Sequence, residues 1–235
     1  MSERWLFTGV LFGVHELAFF ATWALFALLF KFNVAPRFQV AGGKGPAPEL
    51  SRKAVYEVIG GQVLLLALTA LVFFPAWKAM GGQSGDPLPS LFTIAWQVLA
   101  CILLQDTIFY WAHRALHKPK LYKKIHVKHH TFRHVRGHSA EYAHPVESAV
   151  NLIALMGPAI ILQSHLLTFA IWMAIRMAET VYAHSGYAFT PLASRHAFHH
   201  MYAAKGCLGS FFGIWDRLMG TDRQWREWVK DQPHP

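Results

Sequence analysis

Long apolar runs alternate with shorter polar segments along the chain. Three runs, at residues 6–30, 55–77 and 91–111, have the roughly 20 helical residues needed to cross a hydrocarbon layer of about 30 Å. Two further runs, within residues 149–182, are separated only by Gln163, Ser164 and His165, and they predict a helical hairpin. The pattern predicts an all-α integral membrane protein with four to five transmembrane helices, forming a single membrane-embedded domain over residues 1–235. Whether the hairpin spans fully stays open, because its first arm is short and contains Gly157-Pro158.

Composition and charge support a membrane location. The chain is 54% hydrophobic and only 15% charged, with a mean hydropathy of +0.25, which is too apolar for a soluble domain of this size. A net charge of +9 suggests nucleic acid in a soluble protein, but in a membrane protein it usually reports topology. Of the 22 Lys and Arg residues, 19 fall on one side if the N-terminus is outside, in segments 31–53, 112–147 and 184–235. These segments are therefore predicted to be cytoplasmic, at the inner membrane of a bacterium or the endoplasmic reticulum of a eukaryote, with no nucleic-acid partner.

Histidine is the unusual residue type, since 13 of the 15 histidines lie between His113 and His200. His113 and His117 are four residues apart, so on a helix they share one face. The pattern H-x-x-H-H occurs twice, at His126, His129 and His130 and at His196, His199 and His200. In each triplet the first residue is expected to lie on the same face as the other two. Two such boxes on one predicted membrane face indicate a metal site, whereas His134, His138, His165 and His234 are expected to be surface imidazoles near lipid headgroups.

The number of histidines says more about the metal than the residue type does. Imidazole binds zinc, iron, copper and nickel. A structural zinc takes four protein ligands and a catalytic zinc takes three, whereas eight clustered histidines can hold two ions with open positions. Two neighbouring ions that change oxidation state can activate dioxygen. A cytoplasmic-side, helical, histidine-rich di-metal domain is therefore predicted, with boxes at residues 113–130 and 184–200.

Three carboxylates are candidates for orienting the histidines. Asp106 precedes His113 by seven residues, Glu147 follows His144 by three, and Glu179 precedes His184 by five. A carboxylate that accepts the second N–H of a ligating imidazole fixes its tautomer and raises its basicity. Each of the three can instead pair with an arginine, namely Arg114, Arg176 or Arg195.

Five segments of the chain resemble one family. They are DTIFYWAHRALHKPKLYKKIHVKHH (106–130), SAEYAHPVES (139–148), RMAETVYAHSGY (176–187), RHAFHHMY (195–202) and WDRLMGTD (215–222). Together they resemble the fatty acid hydroxylase and sterol desaturase superfamily, and within it they are most similar to the sterol 4-methyl oxidases, or C4-methylsterol monooxygenases, which share EYAHP, ET-x-x-x-H-x-GY and WDR-x-x-GT. The resemblance covers about half of the chain, and the N-terminal spans add hydrophobicity but no motif.

The resemblance implies a membrane-bound non-haem di-iron monooxygenase that hydroxylates an apolar lipid, most simply a C4-methyl group of a sterol-like substrate. It implies dioxygen, two iron ions and electrons from NAD(P)H through a separate carrier, such as cytochrome b5 or a ferredoxin with its reductase. The matched ligand positions are the eight box histidines, His184 in AHSGY and, as a recurrent family histidine, His144 in AHPVE. A basic surface that includes Lys120, Lys123 and Lys124 suits either an acidic donor or anionic lipid.

One departure and several alternatives remain. Related members often carry Asn-aromatic-Gly shortly after the last box, where this chain has Cys207-Leu208-Gly209. A desaturase, or a hydroxylase acting on a fatty acyl chain, a hopanoid or a carotenoid, requires the same histidines. A metal transporter or sensor should carry polar ligands through the bilayer, whereas the predicted spans hold only His15 and Glu16 as an isolated pair.

Overall fold

Long apolar helices organise the chain, as the sequence predicts. The computed structural model describes residues 2–203 and 206–233, and the elements that it forms over these residues are helical. Four helical segments are long and apolar enough to cross a membrane: α1 (Glu3–Lys31), the continuous segment Pro48–Ala79, α4 (Leu91–Leu116) and α7 (Leu166–Ala183). The segment Pro48–Ala79 consists of α2 (Pro48–Leu68), a π-helical turn (Thr69–Phe73) and α3 (Phe74–Ala79). The all-α fold with four candidate spans confirms the predicted fold class; the cytoplasmic orientation stays a prediction.

The predicted hairpin is formed by α6 (Pro145–Ile161) and α7. The connection is short because α6 ends in a tight turn in which Gln163 adopts a left-handed conformation with φ of 51°. His165 then caps α7, since its Nδ1 accepts a hydrogen bond from the backbone N–H of Leu167 at 3.1 Å. Helix α6 is apolar but shorter than the four candidate spans.

A buried aromatic layer joins the helices. α1 packs along α7, and α4 packs against α6 and α7. Phe7 of α1 lies 4.7 Å from Trp77 and 5.7 Å from Phe169, measured between ring centroids. The indole of Trp77 donates a hydrogen bond to the carbonyl of Ser164, so its polar atom is satisfied within an apolar layer.

Large exposed apolar side chains lie along the segment Pro48–Ala79 and on α4. Val63, Leu71, Leu91 and Phe92 are each more than two thirds exposed. An apolar surface of this extent is unfavourable in water and matches lipid chains. These surfaces therefore fit a hydrocarbon environment.

The histidine-rich part of the chain combines regular helix ends with irregular turns. α4 continues beyond the predicted apolar run and carries His113 in its last turn. It is followed by the short α5 (Pro119–Leu121), a π-helical turn (Tyr122–His126) and 3-10 turns at His129–Thr131 and Gly137–Glu141. Three further α-helices follow in the described residues, namely α8 (Pro191–Met201), α9 (Ile214–Met219) and α10 (Arg223–Trp228).

Candidate metal centre

Nine histidines meet in two groups inside the protein. Within each group the available ligand atoms lie within 4.8 Å of one another. The first group is His113, His117, His126, His130 and His199; the second group is His129, His184, His196 and His200. All eight box histidines and His184 therefore belong to one group or the other.

The first group combines three elements. α4 supplies His113 and its C-cap residue is His117, the turns after α5 supply His126 and His130, and α8 supplies His199. The Nε2 atom of His126 lies 3.0 Å from the Nε2 atoms of His113, His117 and His130. The Nε2 atom of His199 lies 3.1 Å from that of His130 and 3.2 Å from that of His117. Five imidazoles thus direct the same ring atom toward one point.

The second group has the same chemistry with one fewer histidine. The Nε2 atom of His184 lies 3.3 Å from that of His129 and 2.9 Å from that of His196. His200 approaches His196 at 3.1 Å through the same atoms. All four side chains are buried.

Each H-x-x-H-H box is divided between the two groups. In the first box His126 and His130 belong to the first group and His129 to the second, whereas in the other box His199 belongs to the first group and His196 and His200 to the second. The expectation that the first histidine shares a face with both others is therefore incomplete. Residues four apart on a helix differ by about 40° around its axis, and residues three apart by about 60° in the opposite direction. Each box therefore supplies ligands to two neighbouring points.

Hydrogen bonds fix the tautomer of most of these histidines. The Nδ1 atoms of His113, His199 and His200 donate to the carbonyls of Leu208, Gly206 and Phe132 at 2.8–2.9 Å. Those of His129 and His184 donate to the carbonyls of Tyr142 and Thr180, at 3.2 Å and 2.8 Å. A proton on Nδ1 leaves the Nε2 lone pair of a neutral imidazole free to bind a metal.

The resulting arrangement fits metal ions. His129 and His184 direct two unprotonated Nε2 atoms at each other, 3.3 Å apart, with no proton between them. Such opposed lone pairs repel unless a cation lies between them. Burial lowers the pKa of His117 and of His129 to about 4, so these imidazoles are neutral near pH 7, which is the form that binds metals. Both groups can therefore hold a metal ion through neutral nitrogen ligands.

The three predicted carboxylates have different partners. Glu147 accepts a hydrogen bond from Nδ1 of His126 at 2.8 Å. Burial raises the pKa of Glu147 to about 8, although the nearby ammonium of Lys128 opposes this rise. A metal ion bound by the first group would further favour the ionised carboxylate. Asp106 instead accepts from the backbone N–H of Ser210, and Glu179 pairs with Arg176 and accepts from the hydroxyl of Ser210.

A loop to which the sequence analysis assigned no role, residues 206–209, holds the first group. Gly206 and Leu208 provide the carbonyls that accept from His199 and His113. The buried carboxylate of Asp216, in the WDRLMGTD segment, accepts from the backbone N–H groups of Leu208 and Gly209 at 2.8 Å and 2.7 Å. The loop makes these contacts through its backbone atoms. The sequence Cys207-Leu208-Gly209 can therefore make them without the Asn-aromatic-Gly motif of related members.

His144 lies outside both groups. Its Nδ1 accepts a hydrogen bond from the backbone N–H of Val146 at 3.2 Å, so it caps the start of α6. The structure therefore does not bring His144 together with the other expected ligands, and its ligand role stays a prediction.

The histidines expected at the surface differ among themselves. His138 is buried, with its ring 5.5 Å from that of Trp23 and 5.7 Å from that of Phe132, so the surface prediction is wrong for this residue. The close approach of Trp23 to Gly137 makes this packing possible. His134 is partly exposed, and His234 lies outside the described residues.

Two adjoining cavities lie beside the histidine groups. The smaller cavity, of about 30 Å³, is lined by histidines of both groups, including His113, His126 and His184. The larger cavity, of about 340 Å³, extends between α1, α2, α6 and α7. Both are lined by Ala140, Asn151, Arg176 and Thr180, so the larger cavity leads toward the metal centre.

The N-terminal spans contribute polar groups to the larger cavity. His15 of α1 and Gln62 of α2 line it and contact Glu141. The reading of His15 and Glu16 as an isolated pair is therefore wrong, because a pattern within one helix does not reveal a partner 126 residues away.

Fold and site together define a helical membrane protein with a buried cluster of histidines, able to hold metal ions, beside a largely apolar cavity. Residues 98–221 match the model of the fatty acid hydroxylase family. The chain is 37% identical to a very-long-chain aldehyde decarbonylase of Oryza sativa subsp. indica, and this match covers 96% of the chain and 89% of the relative. It is also 33% identical to a methylsterol monooxygenase of Arabidopsis thaliana, over 92% of the chain and 85% of the relative.

The chain belongs to the fatty acid hydroxylase family. This membership confirms the superfamily resemblance and supports an oxidoreductase. A putative methylsterol monooxygenase of Dictyostelium discoideum is 29% identical over 98% of the chain and 89% of the relative. No solved structure matches the chain.

Proposed function

We propose that this protein is a membrane-bound di-iron monooxygenase that hydroxylates an apolar lipid, with a C4-methyl group of a sterol-like molecule as the first candidate target. The observation that carries the proposal is the convergence of nine Nε2 atoms in two adjacent groups, beside an apolar cavity. The family and the methylsterol monooxygenases among its relatives support this choice of reaction. Two bound iron ions would supply dioxygen activation and the oxidising power to attack an unactivated C–H bond.

Different residues of the chain would bind the metal ions, orient the ligands and bind the lipid. The first group would hold one ion and the second group the other, with the Nδ1 contacts fixing each ring in its binding tautomer. Glu147 orients His126 and adds negative charge beside the first group. The larger cavity would bind the body of the lipid and keep water away from the centre.

Electrons would come from NAD(P)H through a separate carrier such as cytochrome b5 or a ferredoxin. The exposed side chains of Lys120, Lys123 and Lys124 follow directly on the first ligands, and they present positive charge to an acidic donor. Together with the charge distribution of the loops, this supports a cytoplasmic position for the centre.

A second candidate is aldehyde decarbonylation, in which a long-chain aldehyde is shortened by one carbon. It is favoured by the very-long-chain aldehyde decarbonylase that matches 96% of the chain. The same histidines and the same apolar cavity serve either reaction, so the products must distinguish them.

The first test is metal analysis of the detergent-purified protein. We expect about two irons per chain, a loss of iron in the variant carrying His129→Ala and His199→Ala, and no loss in the control His165→Ala, which lies outside both groups. Zinc alone, unaffected by the double substitution, would contradict the proposal.

The second test is product analysis with dioxygen, NAD(P)H and a carrier with its reductase. A 4-methylsterol should gain oxygen on the methyl carbon, whereas a very-long-chain aldehyde should be left unchanged. Conversion of the aldehyde to a hydrocarbon without oxidation of the sterol would favour the second candidate.

A further inference from the structure

Three polar side chains from distant parts of the chain meet in the wall of the larger cavity. Glu141 accepts a hydrogen bond from Nε2 of His15 at 2.8 Å through Oε1, and another from Nε2 of Gln62 at 2.8 Å through Oε2. His15 lies in α1, Gln62 in α2 and Glu141 in the 3-10 turn Gly137–Glu141. This arrangement is called the polar cluster below.

A fourth side chain, that of Glu16, adds negative charge next to the polar cluster. Nδ1 of His15 also lies 2.8 Å from Oε1 of Glu16, so both ring nitrogens face carboxylate oxygens, which is the arrangement of an imidazolium. Two carboxylates and one imidazolium leave one net negative charge. His15 and Gln62 lie well inside apolar spans, where ionisable and polar groups are costly and usually serve a function.

Glu141 retains unused capacity to accept hydrogen bonds. Each carboxylate oxygen can accept about two hydrogen bonds, and each oxygen of Glu141 receives one from the polar cluster. The side chain is 23% exposed and lines the cavity. Its free acceptor positions are therefore available to a molecule within the cavity.

The other walls of the cavity indicate the chemical class of the molecule that fits it. Its walls are mostly apolar and include Leu64, Leu65, Leu152 and Leu155, and its volume of about 340 Å³ falls within the range of small-molecule pockets. An apolar body with one hydrogen-bond donor fits this surface. The two cations that line the cavity, Lys128 and Arg176, are paired with Glu57 and Glu179, so a carboxylate near Glu141 would meet unbalanced negative charge. A ketone or an ether has no proton to donate.

We infer that the polar cluster binds the hydroxyl group of a lipid alcohol, with Glu141 as the acceptor. Ala140, the neighbour of Glu141, lines both cavities, and the carbonyl of Tyr142 on its other side accepts from His129 of the second group. The polar cluster would thus present a carbon close to the hydroxyl to the metal centre. The inference rests on the proposed function for its role in turnover, but the binding itself can be tested without turnover.

The test measures binding to the purified full-length protein by competition against a radiolabelled sterol. The probes are lanosterol, its 3-O-methyl ether and its 3-ketone, with octadecanol and octadecane as a pair that lacks the ring system. Hydrogen bonds to a charged group are strong, so we expect each alcohol to bind about 10-fold or more tightly than its partners without a donor. In Glu141→Gln this preference should fall to less than about 3-fold.

Glu57→Gln is the matched control, because Glu57 lines the same cavity but pairs with Lys128 rather than with His15. It should keep the full preference. Iron content reports whether each variant is folded, and Gln62→Leu replaces Glu141→Gln if that variant loses its iron.

Equal binding of the alcohols and the analogues to the unsubstituted protein would overturn the inference, as would a preference that survives both Glu141→Gln and Gln62→Leu. Selective binding of alcohols without oxidation of any of them would retain the inference and reject the proposed function. Oxidation of the ether as efficiently as the alcohol would support the proposed function and reject the inference.

Discussion

The two histidine groups use the same ligand atom but are supported differently. In the first group His126 donates to the carboxylate of Glu147, and His113 and His199 donate to carbonyls of a loop held by Asp216. In the second group His129, His184 and His200 donate only to backbone carbonyls, those of Tyr142, Thr180 and Phe132. The first group is thus supported by buried carboxyl groups at two positions, whereas the second is supported by backbone carbonyls.

This difference implies that the groups respond to different substitutions. A carboxylate that accepts a hydrogen bond from a ligating histidine raises the basicity of that histidine and adds negative charge. Replacing the carboxylate by an amide removes both effects. A backbone carbonyl is unaffected by most side-chain changes. The first group should therefore be the one that side-chain substitutions outside the ligands can weaken.

The largest effect is expected from substituting one of two adjacent ligands, because each belongs to a different group. His199 and His200 are neighbours in sequence but belong to different groups. Either single substitution by alanine should remove about one of the two ions and lower turnover by more than the roughly 100-fold that loss of an outer partner can cost. Iron analysis and turnover check this, and loss of both ions in either variant would show that the groups do not fill independently.

The next effect tests the carboxylate of the first group. Glu147→Gln keeps the shape of the side chain but removes its charge, so we expect metal affinity of the first group to fall by about 10- to 100-fold while that of the second group is unchanged. Competition with a chelator measures both affinities. Glu57→Gln, which removes a carboxylate that contacts neither group, serves as the control, and an equal loss from both groups would contradict the comparison.

A smaller effect is expected at the loop that holds His113 and His199. Asp216 is fully buried and accepts from two backbone N–H groups and from Thr221. Asp216→Asn weakens hydrogen bonds to a charged group, each of which contributes about 1.5–3 kcal/mol. We expect thermal stability to fall by a few kcal/mol and the first group to lose metal first. Preferential loss from the second group would argue against the proposed support.

The smallest effect is expected outside both groups. His144→Ala removes a helix cap, a change that costs about 1 kcal/mol. Metal content should stay at the value of the unsubstituted protein, with at most a small decrease in the melting temperature. Loss of an ion from this variant would restore the ligand role that its family position suggests.

Much of the fold and of the histidine centre could be predicted from the sequence, because both produce patterns among residues that are close together in the chain. Apolar runs located α1, α2, α4 and the hairpin, and the spacing of the histidine boxes identified eight of the nine grouped histidines before any resemblance was used. His184 required the resemblance, since one histidine after an apolar run carries no pattern of its own.

What the sequence left undetermined depends on contacts between distant segments. Which group each histidine of a box joins depends on how α8 and the irregular turns around His126 and His129 meet in the folded protein, which a helical pattern does not describe. The carbonyls of Gly206 and Leu208 belong to backbone that any residue provides, so no residue type signals them. The meeting of His15 with Glu141 joins two helical elements that only the folded protein brings together.

The length of α4 has a consequence for where along a lipid the protein acts. Its 26 residues form a rod of about 39 Å, longer than a hydrocarbon layer of about 30 Å, and His113 lies in its last turn. The rod therefore sets the distance from the far membrane surface to the first histidine group. A thinner bilayer would have to thicken locally, or α4 would have to tilt, to cover its apolar surface, so the depth of the first histidine group relative to the lipid chains depends on membrane thickness.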